Sequence, residues 1–221
     1  MKVLNQNVGG WSLVIARGIV YVADLKDGSL ANNRLIIDMS LGSVYLDAVE
    51  KAAIDYAISK GVIIVASAGN NSKYGMGYPG AYAPVISVAA SGWAGEWMNN
   101  YWLNSMFDPY PNIPSLYYIT DFSSQALPEQ DLDVTAPGSW IVGPYQVNMG
   151  QLSYYFLSGT SMASPHVAGT VALMAQKNPA LTAAQAETIL EESAFNFGWP
   201  AYLMGSGLLE ATAAIAVTPL P

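Results

Sequence analysis

Hydrophobic and polar positions alternate between two periods along the 221-residue chain. Trp11, Val14, Ile15, Ile19 and Val22 recur at helical spacing, which predicts an amphipathic helix. Arg34 to Ser40 (RLIIDMS) and Gly61 to Gly69 (GVIIVASAG) are instead short β-rich runs, the second nearly all apolar. Such a run suits a strand buried on both faces of a parallel sheet. Lys2 to Leu4 and Ala83 to Ala90 (APVISVAA) predict two more strands. Between them, Ser43 can cap a helix with Leu46, Val49, Ala53 and Ala57 on one face and Gly61 as its stop.

The second half keeps the rhythm after one interruption. Ser91 to Thr120 is rich in Trp, Tyr, Asn and Pro without clear periodicity, and reads as a long surface insertion. Its Trp93, Trp97 and Trp102 are expected to pack against the body of the domain. Regular structure resumes at LDVTAPG (Leu132 to Gly138), followed by a hairpin with strands near Ile141 to Pro144 and Leu152 to Leu157. A helix runs through VAGTVALMAQ, Thr182 and Gln185 form a capping box for another, and GLLEATAAIAV closes the chain as a short helix. Strands alternating with helices predict an α/β fold with a largely parallel sheet. Polar motifs follow three of the apolar runs (MSLG, ASAGNN and SGTS), where ligand sites of such folds lie.

Composition narrows the chemistry. Hydrophobic residues make up 52% and charged residues 11%, which is ample for a core, and a net charge of −8 lacks the basic footprint of a nucleic-acid binder. The absence of cysteine excludes disulfides, a thiol nucleophile and Cys-ligated zinc. His166 is the only histidine, so no site here uses two imidazoles. No apolar run approaches the roughly 18 residues that span a bilayer.

The most informative string is SGTSMASPHVAG, Ser158 to Gly169. A β-rich run enters a helix through a glycine-containing turn, placing Ser161 at a helix start, where free N–H groups favour negative charge. Taken alone, such a serine is a cap. The whole string resembles the active-site serine motif of the subtilisin-like proteases almost residue for residue. That resemblance implies a three-layer fold around a parallel sheet, with Ser161 as nucleophile. VASAGNN (Val65 to Asn71) is similar to the family's Ala-Gly-Asn motif, which implies Asn70 as a donor to the oxyanion; alone, Asn70 would be a turn residue. MSLG is similar to the family's substrate-pairing strand. The resemblance implies that Ser40, Leu41 and Gly42 line the substrate groove, with Ala68 and Gly69 on its other wall. YPGAYAPVISVAA, DFSSQ, LDVTAPG, NPALTAAQAETIL and GSGLLEATAA match the family in order, covering nearly the whole chain except the insertion.

The family's catalytic base and acid lie in His-Gly-Thr-His-like and Asp-Thr-Gly-like strings, and neither occurs here. His166, five residues after Ser161 in the same helix, should point away from it. Asp38 falls in a strand and reads as a hydrogen-bonded structural carboxylate. The resemblance therefore implies the C-terminal part of a peptidase domain whose Asp and His lie in absent upstream sequence, inactive in isolation. It further implies peptide or protein substrates, the missing N-terminal segment as a partner, no cofactor for the chemistry, and an extracellular location. A structural calcium ion is compatible with the family, although its ligands are unassigned; the loop from Asn70 to Tyr82 could offer carbonyl oxygens. Three other readings stay open to different degrees. A pseudoprotease or peptide-binding fragment would keep the groove without the chemistry. A nucleotide-binding domain lacks its glycine-rich motifs. A lipase-like hydrolase lacks the second glycine of its nucleophile turn, because Ala163 stands there.

Overall fold

The computed structural model describes residues 2–5, 9–93, 116–148 and 151–221. Strands β1 (Ile36–Met39), β2 (Ile63–Ser67) and β3 (Ile86–Trp93) are joined by β4 (Tyr117–Ile119) and β5 (Val134–Pro137). β1, β2, β3 and β5 run parallel in that spatial order, and β4 pairs antiparallel with the far end of β3. Among the described residues β1 pairs only with β2, so it forms one edge of the sheet. Strands β6 (Ile141–Asn148) and β7 (Gln151–Leu157) make a separate antiparallel hairpin.

Alternation along β2 builds three layers. Ile63 and Val65 point to one side, where they join Ile86, Val88 and Val134 beneath helix α3 (Thr160–Lys177), α4 (Ala183–Ser193) and α6 (Ala211–Val217). Ile64 and Ala66 point to the other, against α1 (Ser12–Asp24) and α2 (Ala48–Ser59). All five β2 residues are buried. Each fully buried Val, Ile or Leu contributes on the order of 1.5–3 kcal/mol, so the two-sided apolar run is the main cohesive element. A one-turn helix, α5 (Ala201–Met204), lies between α4 and α6. No helix among the described residues is long and apolar enough to cross a membrane.

Several sequence expectations shift. Residues 2–5 form no strand. α1 buries Ile15, Ala16, Ile19 and Ala23, leaving Trp11 and Val14 exposed. α2 is capped by Asp47, whose side chain accepts from the Val49 N–H at 2.9 Å, and not by Ser43. Its buried face is Glu50, Ala53, Ile54 and Ala57, so Val49 lies outside and Leu46 precedes the helix. Ser43 instead exchanges backbone hydrogen bonds with Tyr78. The capping box at Thr182 and Gln185 forms as read. β3 continues through Ser91, Gly92 and Trp93, which pair with β4; Trp93 is half-buried, and Trp97 and Trp102 lie outside the described residues.

One buried carboxylate ties the sheet together below the site. Asp133, directly before β5, accepts from the Ser87 N–H at 2.6 Å and the Ser87 hydroxyl at 2.8 Å. Burial pushes its pKa up to about 7; the Ser87 bonds oppose this, and Glu187 and Asp131 add to it. The folded state therefore holds a proton that the unfolded chain releases near pH 4. Stability contributed by this group is full below pH 4 and is lost as pH rises towards 7, at about 1.4 kcal/mol per pH unit. Urea denaturation in chelator-containing buffer between pH 4 and 8 is expected to show this decline. Asp133→Asn, which keeps an acceptor for Ser87, is expected to flatten it.

Candidate active site

The turn into α3 is fixed from two directions. Gly159 N–H donates to the Gly138 carbonyl at 2.8 Å, and Gly138 N–H donates to the Ser91 carbonyl at 2.9 Å. A side chain at Gly138 would come within 2.6 Å of Ala90 Cβ and 2.9 Å of the Gly159 oxygen, so the close approach needs glycine. Ser161 is thus the second residue of α3, half-buried, at the end of the sheet where β1 and β2 terminate. Its hydroxyl donates to the Ser40 carbonyl at 3.3 Å.

Asn70 follows β2 and reaches the same helix start. Its Oδ1 accepts from both the N–H and the hydroxyl of Thr160, each at 3.0 Å. The Thr160 hydroxyl in turn accepts from the Gly69 N–H at 3.2 Å. With Oδ1 occupied, the amide nitrogen of Asn70 makes no hydrogen bond among the described residues, and Asn70 lines the same cleft as Ser161. The loop behind it is held by Ser124, whose hydroxyl accepts from the Asn71 N–H at 3.0 Å and whose N–H donates to the Gly69 carbonyl at 2.9 Å.

The cleft holds about 270 Å³, with Leu41 to Val44 and Gly69 to Asn71 in its walls, together with Gly77, Thr160 and Ser161. Five of the seven residues singled out from the sequence therefore converge here: Ser161, Asn70, Leu41, Gly42 and Gly69. Ala68 is fully buried behind the wall, packed with Met76, Ala89 and Leu132. The Ser40 hydroxyl turns out of the cleft, lying 2.8 Å from the Ser161 carbonyl oxygen, 2.9 Å from Asp38 Oδ2 and 3.1 Å from the Ser164 hydroxyl. Asp38 also accepts from the Ser164 hydroxyl. His166 is exposed and engages its Nδ1 with the Met162 carbonyl at 2.9 Å, one turn back in its own helix.

Two groups escaped the sequence reading. Thr160 sits inside the serine motif, yet only the fold reveals that it orients Asn70. Asp131, Asp133 and Glu187, none of them in the cleft wall, place carboxylate oxygens within 4.8 Å of one another. Hard oxygen donors of this kind suit a calcium-like cation. Burial raises the pKa of Glu187 too, helped by Glu191 and Asp131. No local motif announces this cluster, because Glu187 comes from α4.

Gly138→Ala is expected to destabilise the chain by about 1–3 kcal/mol through overpacking against Ala90 and Gly159. Guanidinium denaturation with an unchanged slope would register it as a shift in midpoint.

The chain is similar to known proteins along most of its length. The subtilase family model, Peptidase_S8, matches residues 1–212. Subtilisin DY of Bacillus licheniformis is 34% identical over 218 residues, covering 97% of this chain and 66% of that protein. A thermostable alkaline protease of Halalkalibacterium halodurans is 32% identical over 211 residues, covering 96% of this chain and 48% of that protein. Among solved structures, sphericase superposes with a TM-score of 0.75 at 32% identity, over 95% of this chain and 66% of its own. Fervidolysin of Fervidobacterium pennivorans, a keratinolytic enzyme related to subtilisin, gives a TM-score of 0.70 at 29% identity, over 95% of this chain and 29% of its own. The chain thus spans just under two thirds of subtilisin DY and about half of the alkaline protease. Sequence and architecture agree along nearly its whole length, and the chain belongs to the subtilase family.

Proposed function

We propose that this chain carries the nucleophile, an oxyanion donor and part of the substrate groove of a serine endopeptidase. The observation that carries the reading is the pairing of Ser161, in the first turn of α3, with an Asn70 amide oriented by Thr160 on one cleft. In this mechanism an extended peptide lies along Ser40, Leu41 and Gly42, with Gly69 and Ala68 behind the side chain that precedes the cleaved bond. The Ser161 oxygen attacks the peptide carbonyl while its proton passes to a base. The oxyanion of the tetrahedral intermediate accepts from Asn70 Nδ2 and from N–H groups at the start of α3. Collapse expels the amine, which takes up the proton held by the base, and leaves an acyl-enzyme on Ser161, which water hydrolyses. No cofactor enters these steps.

The base and its orienting acid come, in this reading, from sequence outside these 221 residues. His166 is committed to its own helix, and no second imidazole exists in the chain. The substrates are peptides or proteins, met outside the cell. A calcium ion bound by Asp131, Asp133 and Glu187 would act on stability alone.

The decisive experiment joins the chain to the preceding third of subtilisin DY and assays a chromogenic peptide. The completed domain is expected to turn over. Ser161→Ala should abolish the activity, and Asn70→Ala should lower kcat on the order of 10²–10³-fold, the magnitude known for such a donor in subtilisin itself. The 221-residue chain alone should be slower by roughly 10⁶, as when the base is deleted from subtilisin. Peptide binding without turnover by the completed domain would mark a binding fragment instead. Separately, millimolar calcium is expected to raise the melting temperature of the chain, and Glu187→Gln to reduce that rise.

A further inference from the structure

Helix α3 contains Pro165 close to its start. Proline has no N–H, so the carbonyl four residues earlier loses its helical donor. That carbonyl belongs to Ser161. An unpaired carbonyl beside a close-packed turn is unfavourable and would leave the first turn of the helix free to tilt. It is not unpaired here: the Ser40 hydroxyl, carried by the residue after β1, donates to it at 2.8 Å.

We infer that Ser40 is a positioning residue for Ser161, its hydroxyl substituting across the sheet–helix gap for the backbone donor that Pro165 removes. The two residues are joined in both directions, because the Ser161 hydroxyl donates to the Ser40 carbonyl at 3.3 Å while the Ser161 carbonyl accepts from the Ser40 hydroxyl. The strand end and the helix start therefore move as one body. This assignment rests on the reading of Ser161 as nucleophile, and gives Ser40 a part distinct from lining the substrate groove.

Asp38 and Ser164 hold the Ser40 hydroxyl in place. Asp38 Oδ2 lies 2.9 Å from it and the Ser164 hydroxyl 3.1 Å from it, while the other Asp38 oxygen accepts from Ser164. Ser40 has one hydrogen and two strong acceptors in reach, Asp38 Oδ2 and the Ser161 carbonyl, so the two compete for it. An amide at position 38 would donate to the Ser40 oxygen and release that hydrogen wholly to Ser161. It would still accept from Ser164. Asp38→Asn is therefore expected to preserve or strengthen the link, whereas Asp38→Leu, of similar size, removes its support.

The test is a double-mutant cycle between Ser40→Ala and Pro165→Ala. Replacing the proline restores the helical N–H, so the Ser161 carbonyl no longer needs Ser40. In the domain completed with the preceding third of subtilisin DY, Ser40→Ala should lower kcat about tenfold with KM little changed. The same change on the Pro165→Ala background should cost about twofold, and Ser40→Thr, which keeps the hydroxyl, should lose less than Ser40→Ala. Equal losses on both backgrounds would overturn the inference, as would no loss on either. The same cycle read as urea midpoints and amide exchange over residues 158–167 in the 221-residue chain needs no turnover. There Ser40→Ala should speed exchange at the start of α3 only while Pro165 is present. An inactive completed domain with this coupling intact would refute the peptidase reading and leave the Ser40–Pro165 coupling standing. If Pro165→Ala does not fold, the Ser40→Ala and Ser40→Thr pair decides: exchange and kcat that follow loss of the hydroxyl support the assignment, and values identical in both variants refute it.

Discussion

The buried stripe of α3 against the parallel strands is the contact on which the rest of the molecule depends. Ala163, Val167, Val171 and Met174 lie on the residues of β2, β3 and β5 that point to that side. A helix seated this way can begin only at the carboxyl end of the sheet, where the turns after β1 and β2 also emerge. Convergence of Ser161, Asn70 and Leu41 on one cleft follows from this seating. The small residues at the helix start, Gly159 and Ala163 beside Gly138, permit the approach. Polar links then set the angle: Thr160 to Asn70, and Ser161 to Ser40. Apolar burial supplies the cohesion, and hydrogen bonds at the rim select one arrangement from the many that burial alone would tolerate.

Much of this was legible in the chain because the chemistry sits in contiguous strings at the ends of apolar runs. GVIIVASAG announces both a two-sided strand and the turn that carries Asn70, and SGTSMASPHVAG announces a helix start with a serine in its first turn. What was not legible depended on partners distant in sequence. The α2 cap moved from Ser43 to Asp47 because Ser43 is drawn into backbone pairing with Tyr78, a contact no local pattern encodes. The exposed faces of Trp11, Val14 and Val49 misled the helical reading, since periodicity gives a stripe without saying which neighbour covers it. The orienting role of Thr160 and the carboxylates around Asp133 likewise required residues from separate elements to meet.

Among the described residues one side of β1 has no strand partner. Ile36 and Ile37 are only partly buried and Asp38 is exposed, leaving Met39 as the one buried residue of β1, while those of β2 are wholly buried. Strands of parallel sheets are ordinarily covered on both faces. Beside this edge, α1 supplies Ile15, Gly18 and Ile19 to a shallow depression shared with Ile36, Ile37 and Met39. Exposed apolar edges of this kind invite association with other chains. Charge gives little protection, since only 11% of the residues carry it.

The single hydrogen bond between Gly159 and Gly138 has a wider consequence. It joins the two feet of the β6–β7 hairpin, so everything between them is a loop closed at its base. Lengthening such a loop costs little, because closure entropy grows only with the logarithm of its length. The turn that carries Ser161 is thereby insulated from whatever the hairpin becomes. Over evolutionary time the segment can drift, grow or acquire new contacts while the geometry at Ser161 is inherited intact, and a designer seeking a place to graft a recognition element would find it there.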